Sequence, residues 1–177
     1  MVDEKTGIDF PFYQSQVQDI FGTPNEGQFA KDYLRICDLS EYANAFDHVV
    51  DFEGNPWGHK IYCNYAMIDP LKRAFGLLVN RGLAGELRTY DGCFNIRRSV
   101  TGAIQSMHSW GLAVDFNAGA NPYGGRPTFS PGFVKCFAES GFEWGGLWTT
   151  PDGMHFQIVW VQGRGNSNPL FPAAWVA

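Results

Sequence analysis

Closely spaced cysteine is what this sequence most plainly lacks. Its four cysteines, Cys37, Cys63, Cys93 and Cys136, include no CxxC or other close pair. That spacing speaks against a cysteine-built zinc site and favours free thiols in a reducing compartment, two disulfides being the alternative. Basic charge is also short: 13 Lys and Arg stand against 18 Asp and Glu, for a net charge of -5. An acidic chain has no general attraction to nucleic acid or to an anionic membrane, so neither is expected as a partner. The pair Arg97-Arg98 is large enough for one carboxylate and no more. No apolar run approaches the ~20 residues of a membrane span, so no membrane insertion is expected. The opening MVDEKTGIDF has neither a basic stretch nor an apolar one, so no signal peptide is expected. The chain would be made in the cytoplasm, and a substrate outside it would require release or carriage by something else. Internal repeats and low-complexity tracts are absent too.

What is present suits one compact domain. A chain of 177 residues, 45% hydrophobic and 18% charged, can bury a core without staples. Aromatics at 16% and 21 glycines fit an α+β fold with many turns better than a helical bundle. Residues 1–60 are read as an N-terminal elaboration, 61–161 as the core and 162–177 as an irregular tail. In the first part Phe29, Leu34 and Ile36 mark a short apolar element, and FEGNPWGH reads as loop. A helix is predicted from Asp69, as N-cap, and Pro70, with Leu71, Ala74, Phe75, Leu78 and Val79 on one face and Gly82 as its stop. Strands are predicted at Glu86–Tyr90, Cys93–Ile96, Leu112–Phe116 and Met154–Trp160, and a second helix from Ser130-Pro131 to about Ser140. Helices and strands do not alternate regularly, so the expectation is α+β, with a small antiparallel or mixed sheet flanked by helices.

Two of the four histidines stand in informative surroundings. His108 lies in SMHSWGLAVD and His155 in PDGMHFQ. Asp115 sits in the apolar run LAVDF, where a carboxylate is costly unless paired or metal-bound. The separation of seven would put His108 and Asp115 on opposite faces of one strand, and Gly111 offers the break that lets His108 fold back. On its own strand His155 alternates with Gln157 and Val159, while Met154, Phe156 and Ile158 face the other way. Pairing of the two strands would collect two imidazoles and a carboxylate, which zinc accepts while keeping a position open for water. The turn Thr150-Pro151-Asp152-Gly153 places a second carboxylate beside His155, where a general base belongs. Each piece alone has an ordinary reading: a satisfied histidine, a strand Asp paired with Arg, a turn Asp. His48 and His59 have no such surroundings.

The full string S-x-H-x-x-G-x-A-x-D, with Trp144-Gly145-Gly146 and Asp152-Gly153-Met154-His155 downstream, resembles the D-Ala-D-Ala carboxypeptidase and L-alanyl-D-glutamate endopeptidase family, M15, over roughly Ile61 to Val161. The resemblance implies a single-domain zinc peptidase (a hydrolase, expected as a monomer) acting on the stem peptides of peptidoglycan. It implies one Zn2+ per chain, on the sheet, held by His108, Asp115 and His155, with Asp152 as catalytic base. It implies an Arg on a strand before the Ser that meets the scissile carbonyl: Arg97, or Arg98 if the register is off by one. Ser106 resembles a hydroxyl that touches substrate or supports the site. Trp144 and Trp148 are either walls of the substrate groove or core aromatics. Carboxypeptidase members commonly carry Glu where this chain has Asp152, and Asp is similar to phage-type endopeptidases. The leading expectation is thus a phage-encoded L-alanyl-D-glutamate endopeptidase acting on the wall. The alternatives are a D-alanyl-D-alanine carboxypeptidase and an inactive zinc-binding domain.

Overall fold

The computed structural model describes residues 14–99, 102 and 105–158. The expected tail, and the end of the last expected strand at Val159 and Trp160, lie outside them. The described residues begin with helix α1 (Gln14–Phe21) and helix α2 (Gln28–Tyr33), which runs directly into strand β1 (Leu34–Asp38). A short helix α3 (Ala43–Phe46) and a two-residue strand β2 (Val50–Asp51) follow. Strand β3 (Lys60–Asn64) then pairs antiparallel with β1 in a small sheet of its own. Helix α4 (Ile68–Asn80), strands β4 (Thr89–Gly92) and β5 (Ala113–Phe116), helix α5 (Pro131–Ala138), and strands β6 (Phe142–Trp144) and β7 (His155–Ile158) complete the order.

Among the described residues the main sheet has five strands in the order β2-β4-β5-β7-β6. Only β2-β4 is parallel among these pairs, so the sheet is mixed and the fold is α+β, as the irregular element order predicts. Alternation decides its two faces. Val114 and Phe116 of β5 and Phe156 and Ile158 of β7 are fully buried. Phe116 and Phe156 pack with Phe75 of α4 and with Phe133 and Phe137 of α5; the Phe137 and Phe156 rings lie 4.5 Å apart. Asp115, His155 and Gln157 therefore point to the other face.

Ser130 caps α5 as expected, accepting from the Phe133 N–H at 3.1 Å, with Pro131 in the first turn. Helix α4 differs from expectation at both ends of its reading. Asp69 lies in its first turn and is not its cap. A 3-10 turn over Tyr65–Met67 leads straight into the helix, so the first free N–H groups lie upstream, and Asn64 caps that turn by accepting from the Ala66 N–H at 3.0 Å. Val79, placed on the apolar face by its spacing, is exposed at the last turn. Gly82 does stop the helix at φ 68°.

Two further expectations need correction. Cys93–Ile96 forms no strand: its backbone follows the wall of the site, and the Asn95 N–H and the Cys93 carbonyl both bond to His108. Glu86–Tyr90 splits into a 3-10 turn over Ala84–Glu86 and strand β4 from Thr89 onward.

All four cysteines are buried free thiols. Burial pushes the Cys37 thiol up to about 11 and raises Cys63, Cys93 and Cys136 as well, so all four stay protonated and poor nucleophiles at neutral pH. Replacing all four with Ala or Ser is expected to lower the melting temperature and leave turnover in the folded, metal-loaded variant. Turnover lost from such a variant would show that a thiol takes part.

Candidate active site

Strands β5 and β7 pair in a register that sets Asp115 directly opposite His155. His108 arrives from outside the sheet. It sits in a 3-10 turn (Met107–Trp110) that ends at Gly111, with φ 65°. A side chain there would meet the Asn64 amide nitrogen at 2.7 Å and Leu34 Cδ2 at 2.9 Å, so only glycine lets the chain turn back this closely. Asn64 clasps the same turn, its N–H bonding the Gly111 carbonyl and its amide group the Trp110 carbonyl. Ser106 is buried beneath, its hydroxyl accepting from the His108 N–H at 3.3 Å. The hydroxyl thus braces the backbone of the turn that carries His108.

Three atoms converge. His108 Nε2 lies 3.1 Å from Asp115 Oδ1 and 3.1 Å from His155 Nδ1, and His155 Nδ1 lies 3.2 Å from Asp115 Oδ1. The other nitrogen of each ring tells which lone pairs these are. His108 Nδ1 faces the Cys93 carbonyl at 2.6 Å, so it carries the hydrogen. His155 Nε2 faces Gln157 Oε1 at 3.0 Å, and that amide oxygen is fixed because the amide nitrogen donates to Glu143 Oε2 at 2.9 Å. In those tautomers three acceptor lone pairs point at one another in a buried place, which is repulsive unless a cation lies between them. Donors 2.0–2.1 Å from a tetrahedral zinc stand about 3.3 Å apart, close to the spacing here. The three residues fit a metal ion on both counts. Burial works against the Asp115 charge, and imidazoles that take up a second proton would donate to it and outweigh that burial, which holds the carboxyl well below its usual range. Burial likewise works against a charged His155, and Asp115 outweighs it, raising that imidazole.

Asp152 stands beside this group without joining it. Its Oδ1 is buried and has no hydrogen-bond partner among the described residues. An orphaned carboxylate oxygen is costly, and a bound water is the partner it would take. Burial pushes its carboxyl above the usual range, against the pull of His155. The turn that carries it is tightly held. The Asp152 N–H bonds the Gly145 carbonyl at 2.9 Å, and a side chain at Gly145 would meet the Asp152 carbonyl at 2.6 Å. The Trp144 indole donates to the Gly153 carbonyl at 2.8 Å, and the Pro151 carbonyl accepts from Gly124 at 2.7 Å.

The two arginines part company. Arg97 Nη2 lies 4.0 Å from Asp115 Oδ2, at the rim of the site, with its side chain 38% exposed. Arg98 turns away, and its Nη1 donates to the Gly102 carbonyl at 3.2 Å. Neither belongs to a strand, though Arg98 forms a lone bridge with Gln105. The two tryptophans also separate. Trp148 lies over His155 with ring centroids 5.3 Å apart. Of the two readings open to Trp144, its placement is that of a core aromatic: β6 turns it to the helix side, where it is buried and stacked against Phe156. His48 bonds the Leu87 carbonyl and His59 the Phe46 carbonyl, both away from the site.

A family model described as D-alanyl-D-alanine carboxypeptidase matches residues 99–158. The match is to peptidase family M15 and covers 60 of the 177 residues. It contains His108, Asp115, Asp152 and His155, so the M15 match and the convergent geometry fall on the same residues; Arg97 lies just outside it and rests on geometry alone. No curated protein and no solved structure matches.

Several residues around this site carry little or no signal in the sequence. Ser109, next to His108, accepts from the Arg97 N–H at 2.9 Å and lies 2.8 Å from the Arg97 carbonyl; Gln105 donates to its hydroxyl at 2.6 Å. Glu143 and Gln157 back His155. A polar residue two places after a strand ligand, on the same face, is the one signal that marked Gln157 beforehand.

Proposed function

We propose that this chain is a zinc-dependent peptidase that cuts the stem peptide of bacterial peptidoglycan, and that the bond it cuts joins L-Ala to D-Glu. The observation that carries the reading is the convergence of three acceptor atoms beside a half-buried carboxylate whose Oδ1 has no hydrogen-bond partner among the described residues. His108 would hold the ion through Nε2, His155 through Nδ1 and Asp115 through Oδ1. A zinc ion so held supplies Lewis acidity, which acidifies water and polarises a peptide carbonyl. Asp152 takes the proton of the attacking water and later hands it to the leaving amine. Burial raises its proton affinity toward the range a general base needs. Arg97, at the rim, meets the negative charge that grows on the carbonyl oxygen. Trp148 lines the same opening over His155.

Asp rather than Glu at position 152 favours the endopeptidase. The description of the matched family favours a second reading, removal of a terminal D-Ala. Digestion of purified peptidoglycan, with mass spectrometry of the new ends, tests both. New L-Ala carboxyl ends are expected. Free D-Ala would replace the first reading by the second, and no release from a metal-loaded chain would leave a structural zinc domain.

The arginines give a separate test. Arg97→Lys is expected to lose roughly 10²–10³-fold in kcat, because lysine lacks the planar fork that meets a developing oxyanion. Arg98→Lys is expected to change little. A large loss at Arg98 with none at Arg97 would reverse the assignment.

A further inference from the structure

We propose that Glu143 is a positioning residue for the metal: acting through Gln157, it decides which nitrogen of His155 is offered to the ion. This rests on the zinc reading above. Strand β6 sets Glu143 directly across from Gln157 of β7, on the face that carries His155. Gln157 Nε2 donates to Glu143 Oε2 at 2.9 Å, and Gln157 Oε1 accepts from His155 Nε2 at 3.0 Å. The other carboxylate oxygen of Glu143 accepts from the Trp148 indole at 2.9 Å.

The logic lies in what each group can do. A glutamine amide is ambivalent, offering an acceptor on one side and donors on the other. Turned over, its nitrogen would donate to His155 Nε2, send the ring hydrogen to Nδ1 and block the atom that faces His108 and Asp115. A carboxylate only accepts. Glu143 therefore draws the amide nitrogen to its own side and leaves the amide oxygen facing the ring. The hydrogen stays on Nε2 and the lone pair on Nδ1. The same carboxylate holds Trp148 over the His155 ring, so one side chain orients a metal ligand and the aromatic wall beside it.

Zinc affinity, measured by competition with a chromophoric chelator, tests the relay without reference to turnover. Glu143→Gln is expected to weaken zinc binding roughly 10–100-fold, the usual cost of losing a ligand's hydrogen-bond partner. Its own amide must meet the Trp148 donor with its oxygen, so it presents hydrogens to Gln157 and turns that amide over. Gln157→Glu alone sets two carboxylates side by side and is expected to weaken binding as well. The exchange Glu143→Gln with Gln157→Glu rebuilds every bond: Glu at 157 accepts from His155 and from the new amide, whose oxygen accepts from Trp148. It is expected to bind zinc within about threefold of wild type, a recovery possible only for residues that act as one unit.

Circular dichroism of the zinc-free variants establishes that they fold. Should Glu143→Gln not fold, Gln157→Met cuts the same relay at nearly constant volume, and the same loss is expected from it. Unchanged affinity in whichever of these folds would overturn the proposal, as would an exchange variant no tighter than its single parents. A wild-type chain that takes up no zinc would instead sink the metal reading, and the relay with it.

Discussion

Asp152→Asn is expected to fold, to bind zinc as tightly as wild type and to lose most of its peptidase activity. The amide is nearly isosteric with the carboxylate, and the turn around it is held by backbone groups: Asp152 N–H on Gly145, Pro151 carbonyl on Gly124 and Gly153 carbonyl on Trp144. None of those bonds needs the Asp152 side chain. What is lost is the proton acceptor, and general-base catalysis typically contributes ~10²–10⁴-fold. Asp152→Glu restores an acceptor one methylene longer and is expected to keep part of the activity. The measurements are zinc content after dialysis and the rate of release of new peptide ends from purified wall. Near-normal digestion by the Asn variant would remove Asp152 from the mechanism. Loss of its zinc would make Asp152 a ligand, which in turn would take the position that water needs.

Removing a ligand should separate cleanly from removing the base. His108→Ala and His155→Ala each delete one of the three converging atoms, and each is expected to lose its zinc on dialysis and all measurable turnover with it. The loss of affinity should exceed the roughly 10–100-fold that outer partners cost, because a direct bond to the ion is gone. The fold is expected to survive in the metal-free chain. Its core lies on the opposite face of the sheet, where Phe116, Phe137 and Phe156 pack among the helices. Elemental analysis beside a thermal melt reads both quantities, and zinc that stays bound at one ion per chain in either variant would overturn the ligand assignment. Among the described residues no helix is long and apolar enough to cross a membrane.

Local chemistry made part of this molecule legible in advance. Ser130-Pro131 announced a helix because a cap and a first-turn proline act within four residues. Gly111 announced a reversal because the position needs a positive φ, which glycine adopts without strain. Period-two alternation placed His155 with Gln157 and opposite to Met154, Phe156 and Ile158, because adjacent side chains on a strand must face opposite ways. Those local rules brought out the same three candidate ligands that the structure brings within 3.2 Å of one another.

Everything that depends on a distant partner stayed hidden. Strand β1 shows no alternation, with Leu34 and Cys37 buried and Arg35 and Ile36 exposed, so only its pairing with β3 reveals it. Strand β6 is three residues long and exists because β7 lies beside it. Arg97 and Arg98 are equivalent as sequence; the hydrogen bonds of Ser109 and Gln105 to the Arg97 backbone accompany the placement of one guanidinium at the rim and the other against Gly102. Trp144 and Trp148 were both candidates for the groove, and the face of β6 sent the first into the core. The sequence by itself determined which side chains were available as ligands and base, because that chemistry belongs to the residues. The tertiary structure alone decided which lone pair each ligand presents, since a histidine's tautomer is set by the Cys93 carbonyl or the Gln157 amide, groups brought to it by folding.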